Sequence, residues 1–476
     1  MGAVYRLNDL ISQGTINADD FNVVVLEKES EPGGLARSVT DANGFSWDLG
    51  VHITGASKYP YFIQAIEDAI DDWNLLRRSV QADMKHVFKT TEQDEQQRDG
   101  ESDYVPYPVQ QAIPYFPESL KEKCIQELGD VRSTQFETAP KNFAEFTSRA
   151  FGKTLQEIFI RPYNKKVWTI DLEDMNCTWV EGRVPLSNLN FLKSQSRKTR
   201  RELEEEERSK PATWFRYPAH TKGIGETWIK VAEKLPKHWF YYNRQVVRID
   251  TDRKQVISKD VITAAETIHA YDCILSTIPI TELGRLTQLA PTMDLKYSTV
   301  VLVGLGLRRP QSEWASDVRW VYFPSPELCF YRCTFLSNFS THMTPDFDKY
   351  WSLLCEIGLR HDEQFDEEEI LQKTIDGLIS RNVFSSKEQV VDRWLCVLHY
   401  GYPIPTLTRD EELRKAHAQF EPKNIYSRGR FGGWKYEFAN QDHSFAMGYE
   451  FIDRWLLQTP ETVYNTGLQS QCQYLP

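Results

Sequence analysis

At 476 residues, 41% apolar and 26% charged, the chain is long enough for two or three domains with a large core, and its composition excludes a disordered protein. A formal net charge of −12 excludes a nucleic-acid binder, which needs clustered Lys and Arg; an anionic small ligand needs only a local positive pocket. No run of about 18 apolar residues marks a membrane span, no secretory signal opens the chain, and no HExxH or Cys/His cluster marks a metal site.

In chain order, Val4, Leu7, Leu10 and Ile11 give residues 3–13 a helical spacing. Residues 21–27 are a β-branched run that ends in an acid, Glu27. A helix and then such a strand make half of a dinucleotide-binding βαβ unit, with the acid placed for ribose hydroxyls; a strand-terminal acid facing water is the plain alternative. The turn Gly33-Gly34-Leu35-Ala36-Arg37-Ser38 follows, where glycine lets backbone pass close to a ligand. Residues 141–168 read as helical and aromatic-rich, and 197–210 as a solvated charged helix or loop. Short strands recur from 240 to 258, and 271–279 reads as a buried strand with a Pro stop. Segments 299–307, 318–323, 329–337 and 350–357 read as an antiparallel sheet, followed by acidic helices at 362–381. A strand and Gly turn at 428–438 precede a helix from about Gln441 that carries Phe445, Tyr449, Ile452 and Leu456 on one face. The eight cysteines (124, 177, 273, 329, 333, 355, 396 and 472) are scattered and read as reduced thiols of a cytosolic protein, which places it in the cytoplasm.

Several motifs carry polar or aromatic side chains at Pro- and Gly-marked positions. They are Asp48-Leu49-Gly50-Val51-His52, Val105-Pro106-Tyr107-Pro108-Val109-Gln110, Arg161-Pro162-Tyr163-Asn164-Lys165-Lys166-Val167-Trp168 and Gly182-Arg183-Val184-Pro185. Further on come Trp320-Val321-Tyr322, Phe330-Tyr331-Arg332-Cys333, Gly401-Tyr402-Pro403, Gly429-Arg430-Phe431-Gly432-Gly433-Trp434-Lys435-Tyr436-Glu437 and Asn440-Gln441-Asp442-His443. Taken alone, each has an ordinary reading: Arg183 and Arg332 as surface ion pairs, Tyr402, Tyr436 and Trp168 as core, His52 as a structural histidine.

In this order the motifs, with the Gly33-Gly34-Leu35 turn, resemble the UDP-galactopyranose mutases of the eukaryotic type, from residue 2 to about 455. The resemblance implies an α/β fold: a discontinuous Rossmann-like FAD domain, a helical insertion domain and an antiparallel β-sheet substrate domain. Its segments would be 1–110, 214–290 and 409–476 for FAD, 111–213 for the helical domain and 291–408 for the sheet. It implies interconversion of UDP-galactopyranose and UDP-galactofuranose, the latter supplied to glycoconjugates. The reaction would use reduced FAD, with NAD(P)H as reductant and a covalent bond between flavin N5 and the sugar. Arg183 and Arg332 would hold the departing diphosphate, a task suited to planar guanidinium groups, with His52 facing the flavin. Tyr322, Tyr402, Tyr436 and Asn440 would meet the substrate, Tyr107 and Gln110 the uracil, and Asn164 and Trp168 the ribose and sugar. Glu27, Gly33, Gly34, Leu35, Ala36, Ser38, Arg430, Gln441, Asp442 and His443 would hold FAD. A homo-oligomer stays open.

The sequence departs from the family in three places. The expected first strand and first glycines of Gly-x-Gly-x-x-Gly are not in it, and Gly2 falls on the last of those glycines. A chain of these residues is therefore expected to hold FAD poorly, show little activity and open an apolar strand edge at 23–26. Val51 and Phe339 stand where the family usually has Gly and Tyr. A rival reading follows: a non-catalytic or FAD-poor short form that binds UDP-sugar or a partner subunit. A flavin amine or porphyrinogen oxidase is a third, though such an enzyme has no use for two diphosphate-binding arginines.

Overall fold

The computed structural model describes residues 1–55, 57–88, 102–134, 138–181 and 183–464. Its largest element is a seven-stranded sheet built on the strand Tyr297–Arg308, which pairs antiparallel with Tyr350–Arg360 on one side and Val390–Pro403 on the other. Alternation along the central strand explains its two buried faces. Val301, Val303, Leu305 and Leu307 enter the core under the helix Glu367–Ser380, whereas Val300 and Leu302 enter the core shared with the helical layer. On that second face Gly304 and Gly306 continue the alternation. A methyl group at Gly304 would lie 2.6 Å from the Trp47 ring, and one at Gly306 2.5 Å from Phe45. The two glycines therefore let Phe45 and Trp47 lie flat on the sheet, with Trp394 stacked 5.7 Å from Trp47. The remaining strands are Arg332–Thr334, Trp320–Tyr322, Val80–Asp83 and Tyr104–Pro106. The sheet is not wholly antiparallel as expected, because Trp320–Tyr322 pairs parallel with Val80–Asp83.

The helical layer covers the inner face of this sheet. Helices Glu118–Ser133 and Phe143–Phe151 lead through a π-turn, Gln156–Ile160, into Arg161–Trp168. That last helix lies directly on strand Tyr350–Arg360, because Gly358 has no side chain to meet the Lys166 carbonyl. Glu356 shares the face of Gly358, two residues away, and so points into the space beside the helix. The charge run forms the helix Arg200–Ser209, closed at its start by a Thr199–Glu202 capping box.

The nucleotide-type side is built from short pieces. Helix Gly2–Ser12 packs on the C-terminal helix Gln441–Leu457, where Gly2 meets the Phe445 carbonyl, Gly448 meets the Ala3 amide, and Arg6 pairs with Asp453 at 2.6 Å. The run at 21–27 gives only the two-residue strand Val25–Leu26, parallel to Phe240–Tyr241. The run at 271–279 gives Ile274–Ser276, parallel to Ile425–Ser427. The expected acidic helices at 362–381 are one helix. Seven cysteines are free thiols; Cys472 lies outside the described residues. No helix among the described residues is long and apolar enough to cross a membrane. The chain is thus an α/β protein with a discontinuous nucleotide-binding domain, a helical layer and a sheet domain.

Candidate active site

The site lies between the sheet, the helix Arg161–Trp168 and the loop before the C-terminal helix. Strand pairing sets Arg332 opposite Glu356. The guanidinium grips the carboxylate with two bonds of 2.7 Å, and the Tyr331 hydroxyl donates to the same carboxylate at 2.8 Å. Burial works against the Arg332 charge, but Glu356 together with Tyr402 and Tyr322 outweighs it and holds the group well above its ordinary pKa. Its Nη2 lies 3.5 Å from the Tyr402 hydroxyl.

Two more guanidinium groups converge on the same tyrosines. Arg183 donates to the Tyr436 carbonyl (2.9 Å), the Glu437 carbonyl (3.0 Å) and Asn440 Oδ1 (2.9 Å), with its Cζ 4.9 Å over the Tyr436 ring. Arg430 sits 4.8 Å over the Tyr402 ring and 5.9 Å from that of Tyr436, and donates to the Ala439 and Gly401 carbonyls. Its buried Nε has no partner. Burial, and then Arg183 among its charged neighbours, pull the Arg430 pKa down. Among the described residues no carboxylate forms an ion pair with Arg183 or Arg430. Three guanidinium groups thus gather at Tyr402 and Tyr436 and only Arg332 among them is paired with a carboxylate, Glu356, so the surplus positive charge calls for an anionic ligand.

Aromatic rings floor this charge. Trp168 lies 5.6 Å from Tyr402 and 4.9 Å from Tyr436. Tyr163 joins Tyr322 at 5.3 Å, and Tyr322 joins Tyr107 at 4.3 Å. Gln110 is tied to the arginine loop, donating to the Pro185 carbonyl at 2.9 Å. Asn164 is engaged within its own helix, by the Ile160 carbonyl (2.8 Å) and the Trp168 indole (2.9 Å). Phe339 packs 5.3 Å from Tyr217, away from these rings.

The segment before His52 is anchored by Asp48. This buried carboxylate accepts from Ser38 Oγ (2.6 Å), the Tyr217 hydroxyl (2.6 Å) and the Ile224 amide (3.1 Å). Burial still pushes its pKa up to about 6. His52 then lies within the field of Arg430, Glu356 and Arg332. Burial pushes its pKa down to about 4, so the ring is neutral at neutral pH, with Nε2 3.2 Å from the Leu49 carbonyl.

The residues expected at the cofactor divide into two kinds. Ser38 is occupied by Asp48 and the Gly225 amide, Gln441 accepts from the Trp228 indole at 2.8 Å, and Asp442 accepts from Ser57 at 2.8 Å. Ala36 is buried in a side core, and His443 packs its ring on Tyr59 and Phe438. Gly33 and Gly34, beside half-buried Leu35, leave backbone exposed at positive φ, 117° and 56°. A methyl group at Gly34 would meet nothing within 4 Å. Glu27 ends its strand and accepts from the Glu29 amide at 3.0 Å. The C-terminal helix follows Asn440, whose side chain does not cap it; the His443 amide donates to Asp442 Oδ1 at 2.8 Å, and the amides of Gln441 and Asp442 are left for an anionic group. An exposed glycine turn, an uncapped helix start and the orphaned Arg430 Nε together fit a flavin nucleotide.

Sequence reasoning missed Glu356, Tyr163 and Tyr331. Glu356 had a usable signal: it is the only acid in the apolar strand Tyr350–Arg360, where a buried carboxylate demands a cation.

The sequence model of the flavin containing amine oxidoreductase family matches residues 8–433, and the chain belongs to that family. A crystal structure of reduced UDP-galactopyranose mutase superposes with a TM-score of 0.83 at 32% identity, covering 98% of this chain and 94% of that one. Cyclohexylamine oxidase from Brevibacterium oxydans IH-35A is 13% identical with a TM-score of 0.55, covering 96% and 97%. A provisionally assigned protoporphyrinogen oxidase from Exiguobacterium sp. 255-15 is 14% identical with a TM-score of 0.63, covering 96% of each chain. These last two share the fold.

Proposed function

We propose that the protein is a flavin-dependent UDP-galactopyranose mutase that interconverts UDP-galactopyranose and UDP-galactofuranose, with NAD(P)H as reductant. The observation that carries this is the cluster of Arg183, Arg332 and Arg430 over a tyrosine floor, with Glu356 as its paired carboxylate. FAD, when bound and reduced, supplies the nucleophile for the anomeric carbon. Glu27, Gly33, Gly34 and the start of the C-terminal helix would hold it, with Arg430 beside it.

The chain's own residues deal with the nucleotide. Arg183 and Arg332 neutralise the diphosphate as its bond to the sugar breaks, then keep it in place for return to the same carbon. Tyr402 and Tyr436 offer hydroxyl donors. Tyr107 presents a ring face and Gln110 an amide for uracil, and Trp168 excludes water beside the sugar. Neutral His52 accepts or donates one hydrogen bond without adding charge.

Binding energy in this reading resides in the nucleotide. UDP is expected to compete with substrate, and galactose alone to show no measurable binding by calorimetry. Galactose binding as tightly as UDP would overturn the assignment.

A second reading, a UDP-sugar binder that retains flavin poorly, has one observation in its favour. Among the described residues, no strand joins the parallel pair at Val25–Leu26 to the one at Ile274–Ser276. Flavin absorbance of the purified protein, followed by conversion of UDP-galactofuranose under dithionite, separates the two readings.

A further inference from the structure

Behind the arginine cluster lies a second ionic group, whose charged side chains make no bond to a candidate ligand contact. Arg409 is fully buried and donates to both oxygens of Glu437 at 2.9 Å. It also donates to Asp410 at 2.9 Å and to Thr178 Oγ1 at 3.3 Å. Glu437 has a second duty: its backbone carbonyl accepts from Arg183 Nη2 at 3.0 Å and Nε at 3.3 Å. Thr178 stands at the head of the turn that delivers Arg183, bonded to Asn176, which is itself fixed to the Pro405 and Thr406 carbonyls. One guanidinium therefore ties together the Arg183 turn, the start of helix Arg409–Phe420 and the loop that carries Tyr436 and Asn440.

We propose that Arg409 and Glu437 are positioning residues that set Arg183 for the diphosphate of a nucleoside diphosphate ligand. A buried ion pair adds little net stability over apolar residues of the same size, so stability alone gives weak reason for one here. Its geometric value is specific: the bidentate fork fixes the orientation of Glu437, and with it the carbonyl that aims Arg183. The inference rests on the function proposed above only for the identity of the sugar; the diphosphate contact is tested with UDP itself.

The test compares Glu437→Gln and the paired apolar replacement Arg409→Met/Glu437→Met, each alone and in an Arg183→Ala background. UDP affinity is read by calorimetry, turnover of UDP-galactofuranose with dithionite, and stability by urea midpoint. The paired replacement is expected to keep a near-normal midpoint while weakening UDP binding and lowering turnover about tenfold. In the Arg183→Ala background the same changes are expected to add no further loss, because the effect runs through Arg183. Normal UDP affinity in the folded paired variant, or losses that multiply with those of Arg183→Ala, would overturn the proposal. Should the wild type bind UDP yet convert no sugar, the mutase reading fails while this positioning role is still decided by affinity.

Discussion

The sheet side and the nucleotide side of this molecule are built on different terms. The sheet side has strands of 12, 11 and 14 residues, with register pinned by alternate burial on both faces. The nucleotide side has parallel pairs of only two and three residues beside an antiparallel sheet over 244–270, and leaves a glycine turn and the first amides of a helix open. Two of the clustered arginines already have protein partners: Arg332 on the sheet holds Glu356, and Arg183 holds the Tyr436 and Glu437 carbonyls. On the nucleotide side, Ser38, Gln441 and Asp442 have protein partners, and the open capacity is at the Gly33–Gly34 turn and the first amides of the C-terminal helix. In the function proposed above, the arginines meant for the diphosphate are set by the chain's own contacts, whereas the glycine turn and helix start are left for a ligand.

The sharpest way to break this contrast is to remove charge from the preorganised side. Arg183→Ala and Arg332→Ala are each expected to lower turnover about a hundredfold, a loss of roughly 3 kcal/mol of transition-state stabilisation, while flavin absorbance stays unchanged. Near-normal kinetics in either variant would remove that residue from the mechanism. The ligand-ordered side should respond to FAD instead. At about 100 times its Kd, FAD is expected to add roughly 2.7 kcal/mol of stability, read as a rise in urea midpoint. Gly34→Ala puts a β-carbon at a φ of 56°, so it should lower the ligand-free urea midpoint, and it should cut the FAD gain as well where the exposed turn meets the cofactor.

A packing change on the sheet side should act in the opposite manner. Gly304→Ala drives a methyl group to 2.6 Å from Trp47, and overpacking of this kind costs about 2 kcal/mol with or without FAD. The smallest effect concerns His52. Its pKa lies at about 4 in the folded protein, below the ordinary 6.5, so the unfolded chain binds the proton more readily. The resulting stability is fully present above pH 6.5 and is lost as pH falls toward 4. After allowance for solvent screening, it should amount to about 1 kcal/mol between pH 7 and pH 5. His52→Asn should flatten this slope in urea midpoints taken at the two pH values.

Much of this division was legible in the residues. The central strands at 299–307 and 350–357 were readable as short runs rich in β-branched residues in the first and in aromatic and aliphatic ones in the second, and the structure extends them to Tyr297–Arg308 and Tyr350–Arg360. Helix Gln441–Leu457 was readable from one-sided spacing. The short parallel pairs were not readable at their true length, because two- and three-residue strands carry almost no periodic signal. The parallel contact between Val80–Asp83 and Trp320–Tyr322 joins segments distant in sequence and leaves no local trace. At the site, the motifs pointed to Arg183, Arg332, Arg430, Tyr402 and Tyr436, which the fold gathers. The carboxylates that hold two of the loops were overlooked, Glu356 despite its apolar surroundings and Glu437 because its partner Arg409 comes from another segment.

One measurement tests the central claim most directly: conversion of UDP-galactofuranose by the FAD-loaded protein, followed chromatographically with and without dithionite. UDP-galactopyranose is expected only when the flavin is reduced, and that product is expected to be lost on Arg332→Ala. A yellow protein that leaves UDP-galactofuranose unchanged under dithionite, yet oxidises an amine, would contradict it.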